Sequence, residues 1–131
     1  MLIDANIFLE VLLNQEKTDA CKNILEKIKS GERVDVVTNF TIDSIIIVMN
    51  RNKTSVSAIE IFIKSILSYE GLNFYQITFK DRLLAKKWMK KYNLDYEDSI
   101  ILQSAISTGN KEILSLDSDF DKVKEIKRVS P

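Results

Sequence analysis

Two short apolar runs each stop on an aspartate, Met1–Asp4 (MLID) and Glu112–Asp117 (EILSLD), and they constrain the fold more than any other feature of the chain. Runs this short read as buried strands, and the sequence around them is patterned as helix. Each aspartate therefore falls at the C-terminal tip of its strand. Tips of parallel strands are where α/β proteins bind ligands.

The pattern between the two runs alternates. Apolar spacing predicts a helix over Asn6–Asn14, a longer one over Thr18–Ser30 ended by Gly31, and a strand over Asp35–Thr38. Phe40–Asn50 is apolar almost all round and reads as a buried helix, although its Ile and Val content also suits a strand. Ser57–Glu60 has the form of a capping box that opens a helix ended by Gly71, and Leu72–Ile77 reads as a third strand. In Phe79–Tyr92 the residues Leu84, Ala85, Trp88, Met89 and Tyr92 share one face, and Lys86, Lys87, Lys90 and Lys91 share the other. A helix over Tyr96–Thr108, a strand over Ile113–Leu116 and a short helix over Ser118–Lys124 complete the order. Such alternation implies one α/β domain, residues 1–131, with a mainly parallel central sheet.

Composition removes whole classes of chemistry. With no histidine, Ser-His-Asp and Cys-His catalysis and His-ligated metal sites are excluded. The single cysteine, Cys21, forms neither an internal disulfide nor a Cys-rich zinc site and is expected as a buried apolar residue. Formal net charge is zero, so no whole-molecule field draws the chain to nucleic acid, and any such binding must be local. The longest uncharged run, Ser44–Asn50, is too short to cross a bilayer, and Asp4 and Glu10 stand where a leader would be basic. The expectation is a soluble, cytoplasmic protein with no membrane partner.

Four acids converge in this reading. Asp98 opens a helix that rises about 15 Å to Thr108, and the following strand climbs back about 17–20 Å to Asp117. Asp98 and Asp117 therefore end at one level, beside Asp4, and Asp43 lies one turn into a helix that follows the second strand. Each acid also has a plainer role. Asp4 and Asp117 can cap the helices that follow them, and Asp98 can be a first-turn acid behind an Asp95 cap. Asp43 resists this treatment, because its helix has hardly any predicted solvent face and a buried unpaired carboxylate is costly. Clustered carboxylates need a cation, and an all-oxygen donor set suits Mg2+ or Mn2+.

The segments LIDANIF, DSIILQSA followed by Gly109, SLDSDF and the final Pro131 resemble, in order and spacing, the PIN-domain family over nearly the whole chain. The resemblance implies a three-layer α/β/α sandwich in which Asp4, Asp98 and Asp117 match metal-binding acids, while Asp43 matches a position usually held by glutamate. Asp119 or Asp121 would add an outer acid, Ser115 a hydroxyl that orders water or metal, and Asn6 an orienting group for Asp4. The implied activity is metal-dependent cleavage of single-stranded RNA. Small stand-alone members are most often VapC-like toxins, held by a small antitoxin and commonly homodimeric.

Two other readings stand beside it. A PIN-like scaffold that binds RNA or protein without cutting fits the neutral charge and the aspartate at position 43. A phospho-receiver domain also gathers acids at strand tips, but here no adjacent acidic pair follows the first strand. Lys86, Lys87, Lys90 and Lys91, Arg51 with Lys53, and the stretch Lys122–Arg128 could each guide phosphates, although such faces are usually only solvated.

Overall fold

A computed structural model describes residues 1–131. Five strands form one sheet: β1 (Leu2–Ile3), β2 (Asp35–Thr38), β3 (Leu72–Tyr75), β4 (Glu112–Leu114) and β5 (Lys127–Val129). Their order is β3-β2-β1-β4-β5, and every pairing is parallel. Six helices connect them: α1 (Ala5–Leu12), α2 (Thr18–Lys29), α3 (Asn39–Arg51), α4 (Val56–Leu67), α5 (Phe79–Tyr92) and α6 (Tyr96–Ser107), with a 3-10 turn at Ser118–Lys122.

Successive strand residues point to opposite faces, and both faces are covered. Ile3, Val37 and Leu114 face a core built with Ile7, Phe8, Leu25, Ile28 and Phe62 from α1, α2 and α4. Leu2 and Ile113 face a second core with Trp88, Ile100, Ile101 and Phe120. Helices therefore sandwich the sheet, as the alternating pattern predicts. Cys21 is fully buried in the first core.

The strands β3 and β4 end two residues earlier than the sequence reading has them, at Tyr75 and Leu114, and three further differences bear on the packing. The α4 cap is Ser55, whose hydroxyl accepts from the Ala58 N–H at 3.2 Å, and not Ser57. Helix α4 ends at Leu67, so Gly71 serves a different purpose: a Cβ there would stand 1.9 Å from the Arg33 carbonyl oxygen. The chain passes too close to the α2–β2 loop for any side chain at that point. Finally, β5 has no counterpart in the sequence reading. It is a three-residue edge strand carrying Lys127 and Arg128, so it lacks the apolar run that marks a buried strand.

The strand order also fixes where a site can form. From β1 the chain moves outward to β2 and β3, then returns to place β4 and β5 on the other side. The crevice between the tips of β1 and β4 is therefore the switch point of the sheet, where open α/β sheets bind ligands.

Candidate metal centre at the β1–β4 switch point

Asp4 leaves β1 and caps α1, accepting from the Ala5 N–H at 2.6 Å. Its other carboxylate oxygen accepts from Asn6 Nδ2 and from the Ser115 hydroxyl, each at 2.7 Å. Asn6 also donates to Ser115 Oγ at 2.9 Å and accepts from the Leu116 N–H at 3.1 Å. Asn6 and Ser115 thus clamp the β1 tip to the β4 tip and fix the Asp4 carboxylate between them. Capping and site geometry coexist in one residue.

Asp117 lies three residues beyond β4 and caps the 3-10 turn through the Asp119 N–H at 2.8 Å. Asp98 stands in the first turn of α6, behind the Asp95 cap, which accepts from the Asp98 N–H at 2.8 Å. The carboxylates of Asp98, Asp117 and Asp119 each offer an oxygen within 4.8 Å of the others. An open cleft next to them is lined by Asp4, Asn6, Asp95, Glu97, Asp98 and Asp117, with Leu9 and Val48 on its walls.

No lysine or arginine forms an ion pair with Asp4, Asp98 or Asp117; Lys122 lies 3.4 Å from Asp119, and Arg128, paired with Asp121, reaches the Ser115 carbonyl at 3.3 Å. The electrostatic consequence is clear. Burial pushes the Asp98 carboxyl up to about 7, and the charges of Asp95, Asp117, Asp4 and Asp119 push it the same way. Burial also pushes Asp4 up to about 6, against the hydrogen bonds from Ser115 and Ala5 that favour its charged form. Hard oxygen donors that repel one another, three of the four without an ion pair, fit Mg2+ or Mn2+ and give a thiophilic metal nothing to hold.

Asp43 requires a correction. The buried, unpaired carboxylate expected from the sequence is in fact exposed, and it does not line the cleft. Helix α3 does have a solvent face, on which Asp43, Ile47, Asn50 and Arg51 are all exposed, Ile47 by 49%. The row of α3 that faces the site is one residue over. Phe40 meets Tyr96 edge-on at 6.2 Å and Val48 lines the cleft, so Ser44 is the residue between them at four-residue spacing. Asp121 is drawn away as well: its carboxylate accepts two bonds from Arg128, at 2.7 and 2.9 Å.

Asp95 and Glu97 also line the cleft, and the sequence reading assigned neither to it. The signal was present in the sequence. Three acids within four residues, Asp95, Glu97 and Asp98, exceed what one helix N-terminus needs for capping.

Comparison with known proteins places this geometry. The family model of the PIN domain matches residues 1–126. No curated protein matches the chain in sequence. Among solved structures it is similar to VapC20 of Mycobacterium tuberculosis, a sarcin-ricin loop cleaving toxin, with a TM-score of 0.75 at 12% identity over 96% of this chain and 98% of that one. It is also similar to a toxin-antitoxin complex from Klebsiella pneumoniae, with a TM-score of 0.68 at 17% identity over 95% and 93%. A third similar structure is VapBC2 from Rickettsia felis bound to a promoter DNA fragment, with a TM-score of 0.73 at 12% identity over 98% and 96%. At these identities the structures speak for the fold. The profile match over nearly the whole length, with the fold it implies, shows that this chain belongs to the PIN domain family.

Proposed function

We propose that this PIN domain is a Mg2+- or Mn2+-dependent endoribonuclease acting on single-stranded RNA as the toxin of a type II toxin–antitoxin pair. The observation that carries the reading is the approach of Asp98, Asp117 and Asp119 to within 4.8 Å beside Asp4, with no ion pair to Asp4, Asp98 or Asp117 and a single lysine, Lys122, on Asp119. In this reading Asp4, Asp98, Asp117 and Asp119 hold the ion, and Asp43 does not. Bound Mg2+ or Mn2+ supplies Lewis acidity toward a phosphate oxygen and makes a nearby water more acidic.

The chain's own groups do the rest. Asn6 and Ser115 hold Asp4 in one rotamer, which sets its oxygens for coordination before substrate arrives. Asp95 and Glu97 rim the cleft and add negative charge, so phosphate approaches only once that charge is offset. With no histidine in the chain and no lysine lining the cleft, proton transfer falls to carboxylates or water.

A small antitoxin and a second copy of the chain are the proposed protein partners. Support comes from the toxin–antitoxin complexes among the similar folds and from an apolar groove on this chain, lined by Phe8, Leu12, Leu25, Ile61 and Phe62. No helix is long and apolar enough to cross a membrane.

One observation favours a second reading, a PIN module that binds without cutting: α3 contributes Val48 to the cleft and no acid. Manganese titration calorimetry and cleavage of a fluorogenic RNA separate the two. Metal binding with metal-dependent cleavage, lost in Asp98→Asn, supports the nuclease. Cleavage indifferent to both EDTA and that substitution rejects it.

A further inference from the structure

We propose that the outer ridge of α5 is the RNA-binding track of this molecule, with phosphates on Lys86, Lys87 and Lys90 and a base stacked on Phe79. The inference rests on the ribonuclease reading for its substrate class, and on α5 itself for its location.

A chain with no net charge and an acidic cleft must attract a polyanion locally. Helix α5 is where its cations gather: Lys80, Arg82, Lys86, Lys87, Lys90 and Lys91 against the single acid Asp81. Two of these are engaged. Lys91 pairs with Glu125 at 2.5 Å, and the Arg82 guanidinium donates to the Ile77 and Thr78 carbonyls. The other four have no ion pair, and all four are exposed. Asp81 does not offset them, because it is buried on the opposite face.

The ridge is continuous and leads to the acids. Phe79, Leu83, Lys86, Lys87 and Lys90 follow three- and four-residue spacing along the face opposite buried Ala85 and Trp88. Helix α5 runs antiparallel to α6, since Asp81 accepts from Ser107 at 2.6 Å and Trp88 donates to Gln103 at 2.8 Å. Its C-terminal end therefore arrives at the start of α6, where Asp95, Glu97 and Asp98 line the cleft. Lys90 and Asp95 are only five positions apart, a span of at most about 17 Å. A strand with its scissile phosphate at the acids would need only to leave by this end of the hairpin to meet Lys90 first.

The far end of the ridge suits a base. Phe79 is 85% exposed, its ring carries the Arg82 guanidinium at 5.6 Å, and Leu83 beside it is 75% exposed. Aromatic rings next to cations form sequence-tolerant stacking platforms for single strands. Lys87 is steadied in turn, its ammonium 4.1 Å from the Trp88 ring centre. A protein partner would need a broad apolar face, and on the ridge itself only Phe79 and Leu83 are apolar before the lysines begin, with Leu84 and Met89 less exposed to either side.

The test is fluorescence anisotropy of a labelled 20-nucleotide single-stranded RNA, with Ca2+ present to offset the acids, across a salt series. Replacing Lys86, Lys87 and Lys90 together by Gln is expected to weaken binding about 10-fold and lower the salt slope by about 2, while the triple Arg variant keeps both. Phe79→Ala should cost a further fold-change of about 5–10. Cleavage of a dinucleotide, too short to cover the ridge, should be the same in all variants. Unchanged affinity and slope in the Gln variant, or equal loss in the Arg variant, would overturn the track. RNA cleaved by the wild type and unaffected by these changes leaves the nuclease standing without the ridge. Binding that depends on the ridge without any cleavage does the reverse. If Phe79→Ala leaves RNA affinity unchanged but halves the mass in light scattering, that end is a protein contact and the stacking assignment fails.

Discussion

Asp81 and Asp98 are both carboxylates withdrawn from water near opposite ends of the α5–α6 hairpin, and their surroundings treat them in opposite ways. Asp81 sits among four donors: the Thr78 N–H, the Thr78 and Tyr75 hydroxyls, each at 2.8 Å, and the Ser107 hydroxyl at 2.6 Å. Burial pushes its carboxyl up, but those bonds together outweigh burial and hold it at about 2. Asp98 receives no hydrogen bond on its carboxylate and only like charges as neighbours, and it rises to about 7. The protein provides for one acid completely and leaves the other for something external. Donor supply, more than burial, separates these two carboxylates.

The largest effect should come from removing the unprovided acid. Asp98→Asn is expected to reduce metal-dependent RNA cleavage by about 1,000-fold, equivalent to roughly 4 kcal/mol, while raising the melting temperature of the EDTA-treated protein at pH 8. A lowered melting temperature would mean that Asp98 is as structural as Asp81. Next in size, Asp81→Ala strands the Tyr75, Thr78 and Ser107 donors and should destabilise the fold by about 3 kcal/mol in urea unfolding. Manganese affinity of the protein that remains folded should be unchanged; a parallel loss would place Asp81 in the site.

The two acids also predict opposite pH slopes. Asp81 is more acidic folded than unfolded, so its stabilisation holds above about pH 4 and is lost as pH falls through about 2. Asp98, raised to about 7, and Asp4, raised to about 6, work the other way: the metal-free protein should lose stability as pH climbs from about 4 to about 8. Thermal melts in EDTA would show a downward limb toward pH 8 that Mn2+ abolishes. A flat profile there would show that the site acids are already balanced. The smallest changes belong to α3. Asp43→Ala should leave manganese affinity unaltered, whereas Ser44→Glu, which puts a carboxylate on the site-facing row, should raise it about 10-fold, worth roughly 1.4 kcal/mol. The opposite ranking by calorimetry would restore Asp43 to the ligand set.

The fold was largely legible because its signals are local. Apolar spacing in α2, α5 and α6 and the two aspartate-ended runs report on neighbouring residues alone, and they yield the parallel order and the acids at the tips. The capping box actually present, Thr78 with Asp81, lies just ahead of the amphipathic pattern of α5 and escaped notice because Asp81 reads as a surface charge there. Its burial arises from Tyr75 and Ser107, which no local pattern links to it. The candidate site was legible in the same uneven way. Asp4, Asp98 and Asp117 follow from strand tips and helix starts, whereas Glu97 reaches the cleft only because α6 packs beside β1 and β4.

The amino-acid order alone determined the succession of strands and helices, and with it the meeting of acids at the β1–β4 switch point, because connections in a parallel sheet must return to the same edge. Tertiary packing decided the rest: that Asp43 meets water while Val48 lines the cleft, that Lys127–Val129 joins as an edge strand, and that Asp81 is satisfied while Asp98 is not. Those outcomes depend on which distant groups come within hydrogen-bond reach, and a rotation of one residue about a helix axis is enough to change them.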